Sequence, residues 1–136
     1  MSLGQPLDHA SVAGVPKVLL RLEGMALLAL ATAVYGFMDL SWWLYVALFF
    51  APDVSFAAYG AGPRLGAMVY NALHSMVGPA LLVGVGFLAD SPILLGGAAI
   101  WAAHIGFDRM LGYGLKYGTG FNDTHLGRIG RAQAGA

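Results

Sequence analysis

Ile100-Trp-Ala-Ala-His104-Ile-Gly-Phe-Asp108-Arg109-Met-Leu-Gly-Tyr113-Gly-Leu-Lys116-Tyr117 sets ionisable side chains into a segment otherwise apolar enough to lie in lipid. His104 and Asp108 stand four residues apart. On a helix that spacing places both on one face, a turn apart, where the carboxylate can accept a hydrogen bond from the imidazole. A His and an Asp within hydrocarbon are costly, so the pair needs partners, a task, or both.

The rest of the chain agrees with a lipid setting. Of 136 residues 58% are hydrophobic and 10% charged, and the mean hydropathy is +0.69. These values specify an integral membrane protein of one domain. Seven basic residues balance seven acidic ones, with no basic run, so nucleic acid is not an expected partner. Without cysteine there is neither a disulfide framework nor a thiolate metal site.

Working outward, four apolar stretches of spanning length appear at about 18–37, 40–60, 65–88 and 93–117. A leader, 1–17, precedes them, and a polar, Gly-rich tail, 118–136, follows as a disordered end or a lid. Trp42, Trp43 and Tyr45 suit a lipid interface. Pro52 and Pro79 each remove a backbone donor and release a carbonyl, those of Leu48 and Ser75 respectively. Ser91-Pro92 reads as the cap of the last span. The expected fold is an all-α, four-helix integral membrane bundle.

Threading the spans puts all seven basic residues on the side that holds both termini. By the positive-inside rule that side is cytoplasmic, which predicts a multi-pass protein of the bacterial inner membrane. At a rise of ~1.5 Å per residue, Asp53 and Asp108 lie roughly 10–12 Å below the cytoplasmic surface, and His74 and His104 roughly 15–18 Å below it. Residues of three spans thus meet at one level. Glu23, Arg64 and Arg109 fall just outside it, and Asn71 shares a helix face with Arg64 and His74.

Such a pocket suits acid/base chemistry, in which one group is held protonated and another ionised in a low-dielectric cavity. Asp53, His74, His104 and Asp108 are the candidate catalytic residues. Glu23, Arg64, Asn71, Arg109 and Tyr113 are candidates for holding a lipophilic small molecule by its polar end, and Asp123 and His125 for a lid. Isomerisation, cyclisation or hydrolysis of a substrate entering from the bilayer is the expected class. The alternatives are a non-catalytic ligand-binding or ion-handling protein, a purely structural polar network, and a metal centre. No cofactor is required, but His74, His104, Asp53 or Asp108, and also His125, offer the nitrogen and oxygen donors that a divalent metal accepts, although the chain lacks the His-x-x-x-His spacing of a strong metal signal. Gly62-x-x-x-Gly66 would permit close helix approach and hence a homodimer.

Several of these positions also carry a resemblance. Leu20-Arg21-Leu22-Glu23-Gly24, Ala51-Pro52-Asp53, Tyr70-Asn71 through His74, Ala103-His104-Ile105-Gly106-Phe107-Asp108-Arg109, Gly112-Tyr113-Gly114-Leu115-Lys116-Tyr117 and Asp123-Thr124-His125-Leu126-Gly127 resemble a bacterial domain-of-unknown-function family of small four-span membrane proteins. The similarity covers roughly Leu19 to Arg128, with Gly118 where that pattern carries proline. It implies a four-helix membrane bundle, brings no established activity, and adds the Asp123-Thr124-His125 segment to the polar positions of interest.

Overall fold

A computed structural model of the chain describes residues 11–118 and 120–129. The first ten residues of the expected leader and residues 130–136 of the tail lie outside the described residues. The protein is mostly helical: α1 (Gly14–Gly36), α2 (Trp42–Phe49), a 3₁₀ helix (Ala51–Ala61), α3 (Pro63–His74), α4 (Val77–Leu88) and α5 (Pro92–Leu111), then a two-stranded hairpin of β1 (Asp123–Thr124) and β2 (Gly127–Arg128).

The central element is α5, against which α1, α2 and α4 pack. Its residues Ala102 to Gly106 are buried in succession, so it is enclosed on every side rather than along one stripe. The α1–α5 crossing is held close by two glycines. A Cβ on Gly106 would lie 2.6 Å from both the Gly24 carbonyl oxygen and the Leu28 nitrogen, and one on Gly24 2.7 Å from the Gly106 oxygen. Only bare backbones fit there.

Two segments, Gly14–Gly36 and Trp42–Ala61, are long and apolar enough to cross a membrane, and the α3–α4 pair, bent by 46°, makes a third if taken as one span. The α5 helix has the length, 20 residues, but His104, Asp108 and Arg109 lower its hydropathy. The turns after α1 and α4 are closed by Asp39 and Asp90 at φ 57° and 48°, a left-handed conformation that Asp tolerates better than most residues. Ser91 accepts a hydrogen bond from the Leu94 N–H at 3.4 Å, the expected cap of α5.

Three spans differ from the sequence expectation. The second is not one α-helix: with no donor on Pro52, α2 stops at Phe49 and the chain tightens to 3₁₀, the Asp53 N–H reaching the Phe50 carbonyl at 3.0 Å. The third breaks at Ser75, extended at ψ 155°, four residues before Pro79, whose ring would clash with the Ser75 carbonyl in a continuous helix. The fourth stops at Leu111 rather than running to 117. Gly112 is left-handed at φ 91°, and the Tyr113 N–H turns back to the Asp108 carbonyl at 2.8 Å.

Beyond that stop the tail folds back. Lys116 pairs antiparallel with Thr124, and His125 donates its N–H to the Leu115 carbonyl at 3.0 Å. Leu126 and Thr124 are buried beneath the hairpin. The Gly62-x-x-x-Gly66 pair does not present a dimer face, because Gly62 is a turn residue at φ 117° and Gly66 lies directly under the Tyr59 ring of the same chain.

Candidate functional site

Both helix breaks border the same place. Asp53 lies in the first turn of the 3₁₀ segment just past the end of α2, His74 is the last residue of α3, and α5 brings His104 and Asp108 to meet them. The four side chains meet. His74 Nε2 lies 3.2 Å from Asp53 Oδ1 and 3.4 Å from Asp108 Oδ2. His104 Nε2 lies 3.3 Å and 3.4 Å from the same two oxygens, and the two Nε2 atoms are 3.2 Å apart. The imidazoles are sealed, with side-chain exposures of 0% and 1%, whereas Asp108 retains 12% and Asp53 30%. Approach is therefore from the Asp53 side.

A broken helix at membrane depth leaves carbonyls that need donors. Three at the end of α3 find one. The Tyr70 oxygen is 2.9 Å from His74 Nδ1, the Leu73 oxygen accepts from Trp101 Nε1 at 2.6 Å, and the His74 oxygen accepts from Arg109 Nη2 at 2.8 Å. Arg109 also donates to the Tyr113 carbonyl at 2.7 Å. Its guanidinium thus ties the end of α3 to the turn after α5. Arg21 does the same on the other side, donating to the Met110 carbonyl at 2.9 Å.

The remaining sequence candidates divide. Asn71 clasps the tail: its amide donates to the Lys116 carbonyl at 2.8 Å and accepts the Lys116 N–H at 2.7 Å. Tyr113 meets Arg109 through its backbone carbonyl. Glu23 and Arg64 are exposed, with Gly118 beside Arg64. In the hairpin, His125 Nδ1 accepts the Leu115 N–H at 2.8 Å, and Asp123 pairs with Arg128 at 2.8 Å.

Sequence reading missed Lys116. It is buried, donates to the Phe121 carbonyl at 2.8 Å, and sits over four rings, nearest Phe121 at 3.2 Å and Tyr70 at 4.6 Å, with Phe56 and Tyr59 beyond. Burial pushes its ammonium down to about 8, opposed by the charges of Asp108 and Asp53. Burial likewise lowers His125, reinforced by the Arg109 charge. The Tyr70 ring under Lys116 also stacks on His74, centroids 3.8 Å apart and planes 9° from parallel, so tail and cluster share a wall. No local pattern announces it, because three of the four rings it meets, Phe56, Tyr59 and Tyr70, lie far away in sequence.

An apolar groove of about 710 Å³ opens between α1, α2 and α5, lined by Leu28, Thr32, Tyr45, Phe49, Phe50 and Phe107 among others. The rings of Phe49 and Phe50 separate it from the cluster, their centroids 5.5 and 6.2 Å from that of His104. Within it Thr32 and Tyr45 bond hydroxyl to hydroxyl at 2.7 Å.

The family model described as Domain of unknown function (DUF4260) matches residues 17–129, most of the chain and all four cluster residues. The chain belongs to this family. Its span includes the folded-back tail, so the hairpin that Asn71 clasps is part of the family domain rather than an appendage. No curated protein and no solved structure matches the chain.

Proposed function

We propose that this member of the family is a multi-pass enzyme of the bacterial inner membrane that performs acid/base chemistry on a lipophilic small molecule. The observation that carries the reading is the meeting of two carboxylates and two imidazoles one aromatic layer away from an apolar groove. The substrate slides from the bilayer along that groove, passes Phe49 and Phe50, and presents its reacting group to the cluster. Asp53, the most exposed member, meets it first. Asp53 and Asp108 give and take the proton, with His104 and His74 as their partners, as isomerisation, cyclisation or hydrolysis of an apolar molecule requires. Asn71, Arg109 and Tyr113 act through the backbone, holding the elements that bear the cluster.

In this reading α5 is a fourth span, tolerated in lipid because α1, α2 and α4 shield its polar face. Both termini are cytoplasmic. Contacts of Arg21 with Met110, Arg109 with Tyr113 and Arg64 with Gly118 gather basic residues at one end of the bundle, as the positive-inside rule asks.

The test is a comparison of total lipid extracts by mass spectrometry from cells expressing the wild-type chain, Asp108→Asn and His104→Gln, each confirmed in the membrane fraction. At least one lipophilic species should accumulate or disappear with wild type alone. Three identical extracts, repeated with purified protein in vesicles of the same lipids, would refute an enzymatic role.

A further inference from the structure

The four side chains do more than converge; their donor atoms trace a coordination polyhedron. In a regular tetrahedron the edge is about 1.63 times the distance from centre to corner. The five edges of 3.2 to 3.4 Å measured among His74 Nε2, His104 Nε2, Asp53 Oδ1 and Asp108 Oδ2 have the length that a centre about 2.0–2.1 Å from each corner requires, the bond length of zinc to imidazole nitrogen and carboxylate oxygen. All four donor atoms lie within 4.8 Å of one another. We infer that Asp53, His74, His104 and Asp108 form a binding site for one divalent transition-metal cation of the zinc or iron class.

With both carboxyl groups ionised, protons on the imidazoles alone leave this arrangement unsatisfied. His74 Nδ1 faces the Tyr70 carbonyl, which can only accept, so Nδ1 carries the hydrogen and neutral His74 presents a bare Nε2 to the cluster. His104 Nε2, 3.2 Å away, must then be the donor across that contact, which strips the hydrogen from its own Nδ1. That atom is buried without a hydrogen-bond partner. The two carboxyl groups meanwhile bring oxygens within 3.2–3.4 Å of these nitrogens, so that four lone-pair atoms face one another.

A divalent cation resolves each of these points together. Both Nε2 atoms become ligands through lone pairs, so neither must donate to the other. Both Nδ1 atoms then carry hydrogens. That of His74 goes to the Tyr70 carbonyl, the outer contact that fixes a metal-ligating imidazole. The Phe49 backbone carbonyl adjoins the His104 ring and is the acceptor at hand for the other. Two carboxylates and a divalent ion sum to zero charge, the cheapest state at this depth. Imidazole donors exclude the hard ions Mg²⁺ and Ca²⁺, which take oxygen ligands.

The ligands come from three elements, the 3₁₀ segment, α3 and α5, so the ion would also join the two broken spans through the central helix. Asp53 is the ligand that solvent reaches, and it is the one to yield a position to water or substrate. The assignment does not depend on the cluster being catalytic.

The test uses the full-length chain in detergent, stripped by chelator and titrated with Co²⁺ and then Zn²⁺, with bound metal counted by elemental analysis. One Co²⁺ per chain with the intense visible absorption of a tetrahedral site, displaced by one Zn²⁺, is expected. His104→Gln should abolish binding. Asp53→Asn, at the partly exposed position and therefore the variant safest for folding, should weaken it at least tenfold with an unchanged circular-dichroism spectrum. If stripping unfolds the chain, metal-dependent recovery of helix content replaces the spectrum as the readout. Failure of the wild-type chain to bind either ion stoichiometrically, or wild-type affinity in both variants, overturns the site. Tight metal binding with unchanged lipid extracts would sink only the proposed enzyme, and altered extracts without metal only this inference.

Discussion

Replacing Gly106 by alanine tests whether the α1–α5 contact sets the register of the cluster. The added Cβ would lie 2.6 Å from the Gly24 oxygen and from the Leu28 nitrogen, where contacts below 3.4 Å are already tight, so the helices must part by about 0.8 Å. The obstructing atoms are backbone and cannot rotate away. Overpacking of this kind costs ~1–3 kcal/mol, and rigid surroundings put it at the upper end. Gly to Ala in a helix returns ~1 kcal/mol of propensity, for a net loss of ~2 kcal/mol. In a domain of this size that lowers the unfolding temperature by roughly 6–10 °C. The matched control is Gly84→Ala in α4, where an added Cβ meets nothing within 4 Å and the unfolding temperature should hold or rise. Both are read by thermal unfolding in the same detergent. Because Gly106 lies between His104 and Asp108, the displaced α5 should also weaken Co²⁺ binding, which Gly84→Ala should not. Equal unfolding temperatures for the two variants would refute the reasoning.

Three further expectations concern the polar joints. Trp101→Phe removes the donor to the Leu73 carbonyl together with the outer indole ring over Gly78, so stability should fall by at least ~1–3 kcal/mol, the cost of an unpaired buried acceptor, and an unchanged denaturation midpoint would show that carbonyl to be otherwise satisfied. Asn71→Leu cuts both bonds to the Lys116 backbone; hydrogen exchange of the Lys116 amide should accelerate and protease should cut within 112–129, while α1 and α5 amides stay protected. The hairpin should also respond to pH. His125 must be neutral to accept the Leu115 N–H, and its pKa in the fold lies below the ordinary 6.5, so its contribution is complete above that pH and is lost as pH falls below it. Lys116 acts in the same direction: with its ammonium lowered from 10.5 to about 8, closure of the tail strengthens as pH rises through that interval. After correction for intrinsic rates, Leu115 amide protection should grow from pH 5 to pH 9, and a flat or falling profile contradicts both.

The convergence of Asp53, His74, His104 and Asp108 could be read from depth alone, since a carboxylate or imidazole in an apolar span must find company at its own level. That argument needs only residue rise and threading, and it survives local irregularity. The breaks were half legible. Pro52 and Pro79 announce a missing donor, yet whether a helix bends, tightens to 3₁₀ or stops depends on which neighbours supply replacement donors, and Trp101 and Arg109 belong to a helix some thirty residues away in sequence. Arg109 likewise reads as a ligand-holding cation because its charge is visible in sequence, and the carbonyls that occupy it are not. The end of α5 was missed for a simpler reason: Gly112 and Gly114 sit among residues apolar enough to continue a span, and only the left-handed φ at Gly112 reveals the stop.

The breaks and the cluster have a common cause. Continuous helices in a small bundle satisfy their own backbones and expose side chains only laterally, which keeps residues of neighbouring spans apart by a full helix width. Interrupting two spans lets Asp53 and His74 approach α5 end-on, near enough for their donor atoms to share contacts of 3.2–3.4 Å with those of His104 and Asp108. The cost is a set of carbonyls without helical donors, and Trp101 and Arg109 of α5 meet it beside the residues the interruption serves. If the breaks exist to bring these donors together, restoring helix at one of them should act on the site first. Pro79→Ala supplies the donor that Ser75 lacks and gives α3–α4 a path to continuity. It should reduce Co²⁺ affinity at least tenfold without lowering helix content, and a variant that binds Co²⁺ as wild type would separate the bend from the site.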